Sequence, residues 1–194
     1  MIELYDKRYL LDEHIEKGIT KLSRETNCIA IMSARLAAQL SGLVKKVNGR
    51  LSLTKATIKL METNNRVQIF RQLFLAFTNK FQWSYNDGYQ EPQTGQFAWA
   101  FSLYMLYKLG DKTESVKLYA EKYLNAFPML LSGFHPDYNT PENQFIRCYG
   151  TRTFERFFLW FGFVTVEVAG TYFNKENASY KGTGIVKDIF SLDE

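Results

Sequence analysis

The aromatic residues of this chain are distributed very unevenly along its length. Of the 31 aromatic side chains (16 Phe, 12 Tyr and 3 Trp), only Tyr5 and Tyr9 precede residue 70. The other 29 lie from Phe70 onward, so only the second part of the chain can form a core of stacked rings. This shift in composition predicts two domains, residues 1–63 and 64–194, with a boundary near the polar run Thr63-Asn64-Asn65.

Composition narrows the classes of protein further. The chain has 194 residues, of which 46% are hydrophobic and 23% charged, and this excludes a disordered protein. Its two cysteines, Cys28 and Cys148, are too few for a disulfide scaffold or a four-cysteine zinc site. Its two histidines, His14 and His135, are also far apart in the sequence. No pair among these four residues has the spacing of metal ligands, and we expect no metal and no cofactor.

Positive charge is concentrated in one third of the chain. Between Thr26 and Asn86, nine lysines and arginines accompany a single acid, Glu62, so this stretch carries a net charge of +8. The whole chain carries only +4, because the flanking parts are slightly acidic. The asymmetry predicts an anionic partner for the basic stretch, with an ordinary solvated face as the alternative.

The basic stretch also contains the clearest local structural signals. Residues 31–40 place apolar side chains at helical spacing, and Gly42 follows them as a helix C-terminal residue. Asn48-Gly49 then lies between two short runs of alternating apolar residues, which is the strongest local signal for a β-hairpin. Thr54 is a typical N-cap for a helix through Met61.

The stretch from Ala34 to Met61 resembles a winged helix-turn-helix. A helix ends in Gly42-Leu43-Val44, and a basic wing follows at Lys45-Lys46-Val47-Asn48-Gly49-Arg50. Leu51-Ser52-Leu53-Thr54-Lys55 then leads into the next helix. The resemblance implies that a helix enters the major groove of DNA while the wing contacts neighbouring phosphates.

This resemblance implies a nucleic-acid-binding, regulatory protein without catalytic activity. The residues expected to contact bases or backbone lie on the helix, on the wing and at the start of the next helix: Ser33, Arg35, Gln39, Lys45, Lys46, Asn48, Arg50 and Lys55. The alternative is a protein-protein interaction or scaffold module, in which the same wing contacts a protein surface.

The second half of the chain predicts helices and a second small hairpin. The pattern that begins at Arg156 is similar to the pattern that begins at Arg35. Each has a helix, a glycine, an apolar residue with valine, a hairpin, a threonine and a second helix, and in the later stretch the glycine is Gly162 and the threonine is Thr183. The predicted fold class is mainly α, with a winged-helix-like N-terminal unit. An aromatic-rich helical bundle follows, with a second β-hairpin near the C-terminus. We expect the aromatic-rich unit to form a homo-oligomer or to receive a protein partner.

A second resemblance covers the residues from Leu51 to Pro128. Their arrangement, with Phe81-Gln82-Trp83 and Asp87-Gly88-Tyr89, is similar to the helical C-terminal region of a plasmid-type bacterial family of unknown function. This resemblance implies neither an activity nor any site residue.

Enzymatic and membrane functions are not expected. The loop between His135 and Cys148 contains a potential base and a potential nucleophile, but no catalytic motif surrounds them. A capped loop with a buried cysteine is the preferred interpretation, and whether the loop binds a ligand stays open. The longest apolar run, Phe157 to Val164, is far too short to span a membrane. Since the N-terminal residues lack an apolar run of signal-peptide length, we expect a cytoplasmic protein.

Overall fold

The computed structural model describes residues 13–16, 18–19, 21–136, 139–170 and 175–190. The chain divides into two compact units, Met1–Gln82 and Trp83–Glu194. Composition placed the division near residue 64, whereas the structure places it after the helix Arg66–Asn79. The reason is that this helix packs on two other helices of the first unit and buries Phe74 and Phe77 there.

The first unit combines short helices with one hairpin. In chain order its elements are α1 (Glu13–Glu16), a 3-10 turn (Glu25–Asn27), α2 (Ile29–Leu40), β1 (Val44–Val47), β2 (Arg50–Leu53), α3 (Lys55–Glu62) and α4 (Arg66–Asn79). Both α2 and α3 pack against α4. The buried face of α2 consists of small and aliphatic residues, which allow close approach between the helices: Ala30, Ile31, Met32, Ser33 and Ala37.

The hairpin of the first unit forms as its turn sequence predicts. β1 and β2 pair antiparallel, with Val44 opposite Leu53 and Val47 opposite Arg50. Asn48 and Gly49 connect them with φ angles of 50° and 78°. Positive φ at both central positions matches the twist of the flanking strands, and asparagine and glycine adopt it at least cost.

The second unit is also mostly helical and contains a three-stranded sheet. Its elements are α5 (Trp99–Leu109), β3 (Glu114–Ser115), α6 (Val116–Ala126), a 3-10 helix (Pro128–Gly133), α7 (Pro141–Tyr149), a π-helix (Gly150–Phe158), β4 (Val164–Val168), a 3-10 turn (Lys175–Asn177), β5 (Ser179–Gly182) and α8 (Ile185–Ile189). The strands lie in the order β3-β5-β4, and both neighbouring pairs are antiparallel.

Aromatic rings form the core of the second unit, in agreement with the composition of the sequence. The rings of Tyr123 and Tyr149 lie 4.8 Å apart, and those of Phe154 and Phe158 lie 5.1 Å apart. All four residues are buried. The hydroxyl of Tyr149 donates a hydrogen bond of 3.0 Å to Ser102 Oγ, so burial of this phenol leaves its donor satisfied.

α7 begins with a cap and continues directly into the π-helix. The hydroxyl of Thr140 accepts a hydrogen bond from the Asn143 N–H at 3.2 Å, and Pro141 occupies the first turn. Gly150 lies at the junction, where a β-carbon would come within 2.8 Å of Val116 Cγ1. A glycine there allows the π-helix to approach α6 closely.

The predicted second hairpin, β4–β5, repeats the local construction of the first. Gly162 precedes it with φ +72°, as Gly42 precedes the first hairpin with φ +75°. Behind each hairpin a threonine closes the loop. The Thr54 hydroxyl donates to the Gly42 carbonyl at 3.1 Å, and the Thr183 hydroxyl donates to the Gly162 carbonyl at 2.7 Å. The two stretches therefore share one local construction, in which a helix, a glycine, a hairpin, a threonine and a helix follow in order.

The predicted fold class is confirmed at the level of secondary structure. The described residues are mostly helical, with two small antiparallel sheets. Among them, no helix combines the length and the apolar character that a membrane span requires.

Candidate nucleic-acid interface

Two threonines attach the first hairpin to the helices on either side of it. The backbone N–H of Thr54 donates to the Leu43 carbonyl at 3.1 Å, which closes the hairpin at its open end. The Thr57 hydroxyl donates to the same carbonyl at 2.7 Å from inside α3. Thr54 also caps α3, since its hydroxyl accepts from the Thr57 N–H at 3.3 Å. These bonds fix the direction in which the hairpin projects from the unit.

The register of the hairpin separates its basic residues between two faces. Lys45 lies opposite Ser52, and Arg50 lies opposite Val47. Since directly paired residues share a face and successive residues alternate, Lys45 and Arg50 lie on one face. Lys46 lies opposite Leu51 and therefore belongs to the other face. The hairpin thus presents two of its cations together and the third on its reverse side, with Asn48 at the exposed tip.

The helix before the hairpin contributes fewer residues than the sequence predicted. Arg35 and Gln39 are one helical turn apart on α2 and only half-buried, so they share an accessible face. Ser33 is fully buried between the helices. The prediction that Ser33 contacts bases or backbone is therefore corrected, because its place on the packed face of α2 prevents that contact.

Most of the predicted cations have no acidic partner among the described residues of the unit. Lys45, Lys46, Arg50 and Lys55 are exposed, and none of them forms an ion pair with a carboxylate of the residues that the structure describes. Lys55 occupies the first position of α3, immediately beyond the hairpin. The positive potential of this surface therefore stays uncompensated by the described part of the chain.

One cation near α2 was missed by the sequence interpretation. Lys80, immediately after α4, donates a hydrogen bond of 3.3 Å from Nζ to the Leu40 carbonyl at the end of α2. Forty positions separate the two residues, so no local pattern indicates the contact. It adds an exposed cation beside the helix that leads into the hairpin.

Apolar side chains are also exposed on the first hairpin and on α3. On the hairpin, Leu51 and Leu53 point to the same side of β2 and are both exposed, as is Val47. On α3, Ile58 and Met61 are exposed. A surface that mixes cations with large apolar side chains can bind protein as well as phosphate.

A second polar cluster lies inside the second unit. Arg152 is fully buried, and its Nε donates to Asp87 Oδ2 at 2.5 Å. Glu91 lies 3.7 Å from Nη1 of the same guanidinium, which donates to the Thr94 carbonyl at 3.2 Å. Arg156, one turn later, donates to the carbonyls of the same loop: Trp83, Tyr85 and Asn86. The cluster fixes the loop before α5 to the π-helix, and it does not present a polar surface to solvent.

The loop considered for catalysis does not create a reactive thiol. Cys148 is fully buried, and burial raises the pKa of its thiol above the ordinary value, more than the nearby Arg152 lowers it. Since the thiolate is the nucleophile, this environment suppresses the reactivity of Cys148. His135 is exposed on the loop, and residues 137–138 of the sequence cluster lie outside the described residues. Among the described residues, no group of histidines, cysteines and carboxylates is arranged to hold a metal ion.

Comparison with known proteins returned no relative. No family model, no curated protein and no solved structure matches this chain.

Proposed function

We propose that the first unit binds double-stranded DNA, with the first hairpin on the phosphate backbone and α2 directed toward the major groove. The observation that carries the proposal is the basic hairpin, anchored at its base, whose cations form no ion pair with the described residues. Its direction is fixed by the hydrogen bonds of Thr54 and Thr57, and its cations have no described carboxylate partner.

The accessible side chains divide into two kinds of contact. Arg35 and Gln39 on α2 are the candidates for base edges, because arginine pairs with guanine and glutamine with adenine. Lys45 and Arg50, on one face of the hairpin, are the candidates for phosphates. Lys46 and Lys55 reinforce the potential from neighbouring positions. Asn48 at the turn can donate an amide hydrogen bond to a phosphate oxygen.

Salt dependence distinguishes phosphate binding from other association. Each cation that neutralises a phosphate releases counterions and steepens the fall of log K with log salt by about 0.9. We therefore expect tight binding of generic duplex DNA at low salt and steep weakening as salt rises. A Lys45→Ala/Arg50→Ala double variant should weaken binding and reduce the slope by about 2.

A matched pair of exposed lysines in the second unit supplies the control. Lys117 and Lys122 are exposed on α6, and their double alanine variant removes the same charge. Fluorescence anisotropy with a labelled duplex should show little change for this control. No binding of the intact chain at low salt, or equal losses in the two double variants, would contradict the proposal.

A second candidate function is favoured by the exposed apolar residues. Four large apolar side chains are solvent-accessible on the hairpin and α3: Leu51, Leu53, Ile58 and Met61. The phosphate backbone of duplex DNA does not bind apolar side chains of this kind. In this alternative the unit is a protein-interaction module. Copurification of partners before and after nuclease treatment separates the two functions, because a complex bridged by nucleic acid disappears on digestion.

A further inference from the structure

The two hairpins differ at one edge. In the second unit, β5 lies between β4 and β3, so its outer edge is filled by an extended segment. Glu114 of β3 lies opposite Tyr180, and Ser115 lies opposite Ser179. In the first unit, β2 holds the position of β5, yet no described strand pairs with its outer edge. Among the described residues, corresponding strand edges of the two hairpins are therefore paired in the second unit and without a strand in the first.

The closing threonines align the two hairpins residue by residue. When Thr54 is aligned with Thr183, Leu53 is equivalent to Gly182 and Leu51 is equivalent to Tyr180. The N–H of Gly182 points outward and donates to the Gly110 carbonyl at 2.8 Å.

The hydrogen bonds of the first hairpin give the same directions independently. Because the Thr54 N–H bonds to the Leu43 carbonyl, alternation along an antiparallel ladder turns the backbone groups of Leu53 and Leu51 away from β1. Outward-facing N–H and C=O groups on a strand are a template for pairing with another strand.

The corresponding side chains of the two strands differ in burial. Tyr180 is only 4% exposed, and its ring packs 4.9 Å from that of Phe154. Its counterpart Leu51 is 46% exposed, and Leu53 on the same face is 42% exposed. Burial of these two leucines by an added strand would remove apolar surface from water.

We propose that the outer edge of β2 binds an extended acidic segment of a partner protein as an antiparallel third strand. Apolar side chains of the segment lie opposite Leu51 and Leu53. Its carboxylates lie on the other face, opposite Arg50 and on the same face as Lys45, where the unit has cations and no described acid partner. This binding shares Arg50 and Lys45 with the proposed duplex contacts, whereas the strand edge and Leu51 are used by the peptide segment alone.

Synthetic peptides test both the charge and the strand pairing. Fluorescence anisotropy of the full chain is measured with a labelled eight-residue peptide of alternating valine and glutamate, and with the valine–lysine equivalent. We expect the acidic peptide to bind at least about tenfold more tightly than the basic one. In the proposed antiparallel pairing, the peptide residue opposite Leu51 is a valine. Its N–H and C=O both form hydrogen bonds with the backbone of Leu51. N-methylation of the valine amides should therefore abolish binding, whereas N-methylation of the glutamate amides should not.

Two exposed positions of the hairpin supply matched variants. Leu51→Ser should weaken binding of the acidic peptide several-fold, whereas Val47→Ser, at a residue of 49% exposure on the opposite strand, should not. Leu51→Ser should leave binding to duplex DNA unchanged. Loss of peptide binding can therefore be distinguished from loss of DNA binding. Equal binding of the two N-methylated peptides would indicate charge attraction alone and overturn the proposal. Unchanged peptide binding by Leu51→Ser would overturn it as well.

Discussion

The hydroxyl of Thr183 donates a hydrogen bond of 2.7 Å to the carbonyl oxygen of Gly162, across the base of the second hairpin. Thr54 makes the same bond to Gly42 in the first hairpin. In each case the glycine has positive φ, which turns the chain out of a helix and into a strand. One small device thus sets the direction of both hairpins, although their surfaces differ in charge.

Removal of the closing hydroxyl should loosen the first hairpin more than the second. Thr54 also caps α3 and lies 2.8 Å from Thr57 Oγ1, whereas the cap residue of α8 is Gly184, so Thr54→Val loses more hydrogen bonds than Thr183→Val. We expect a cost of about 1–2 kcal/mol for Thr54→Val and about 1 kcal/mol for Thr183→Val. Amide hydrogen exchange of each hairpin measures the local change. Thr54→Ser keeps the hydroxyl and is the control. Undiminished protection in Thr54→Val would show that the bond is not structurally important.

The buried Arg152–Asp87 pair should be far more important for stability than an exposed pair in the same unit. Asp87→Asn removes the nearer carboxylate of a buried guanidinium, which keeps only Glu91 at 3.7 Å, and should cost about 3 kcal/mol. Lys187→Met breaks the ion pair between Lys187 and Asp111, and this should cost less than about 1 kcal/mol. The side chains of Lys187 and Asp111 are 41% and 72% exposed. Denaturant unfolding followed by tryptophan fluorescence measures both. Similar costs for the two variants would contradict the assigned role of the buried pair.

Alkaline pH should destabilise the second unit through its buried phenols. Burial raises the pKa of Tyr119 from 10.0 to about 12. The unfolded chain releases this proton near pH 10 while the folded chain retains it. The stabilisation is therefore complete below pH 10 and is lost as pH rises through 12, by an amount on the order of 2–3 kcal/mol. Thermal unfolding between pH 8 and pH 12 should show this loss, and Tyr119→Phe should reduce it. An unchanged pH profile in that variant would refute the attribution to Tyr119.

Both cysteines should be inert in the folded protein. Cys28 and Cys148 are fully buried, and burial raises the pKa of the Cys148 thiol. Alkylation by iodoacetamide at pH 8 should therefore be at least about a hundredfold slower in native protein than in denaturant, because reaction requires local opening. Mass spectrometry of digested protein assigns the rate to each cysteine. Rapid labelling of Cys148 in native protein would instead indicate an accessible thiol.

Local signals predicted the turns and caps correctly because their physics involves only a few neighbouring residues. Asn48-Gly49 adopts positive φ at both positions, as its sequence predicts. Thr54 caps its helix, as predicted, since a short hydroxyl reaches an N–H three residues ahead. The predicted aromatic core also forms, because the rings of the second half must be buried.

Packing over long sequence distances decided what these local signals left open. Ser33 belongs to the buried face of α2, since α4 packs on that helix from about forty residues away. Arg50 shares a face of the hairpin with Lys45, a consequence of strand register. Arg152 lies in the core because Asp87, sixty-five positions earlier, neutralises it there.

The sequence by itself determined where the chain turns, where helices begin and which third carries the positive charge. The tertiary structure decided which of those charges share a face, which polar residues are buried, and that β3 fills one hairpin edge while the matching edge of β2 has no described strand. The physical reason is range. Backbone dihedral preferences and caps act over about four residues, whereas burial and strand pairing depend on partners that the chain brings together only when it folds.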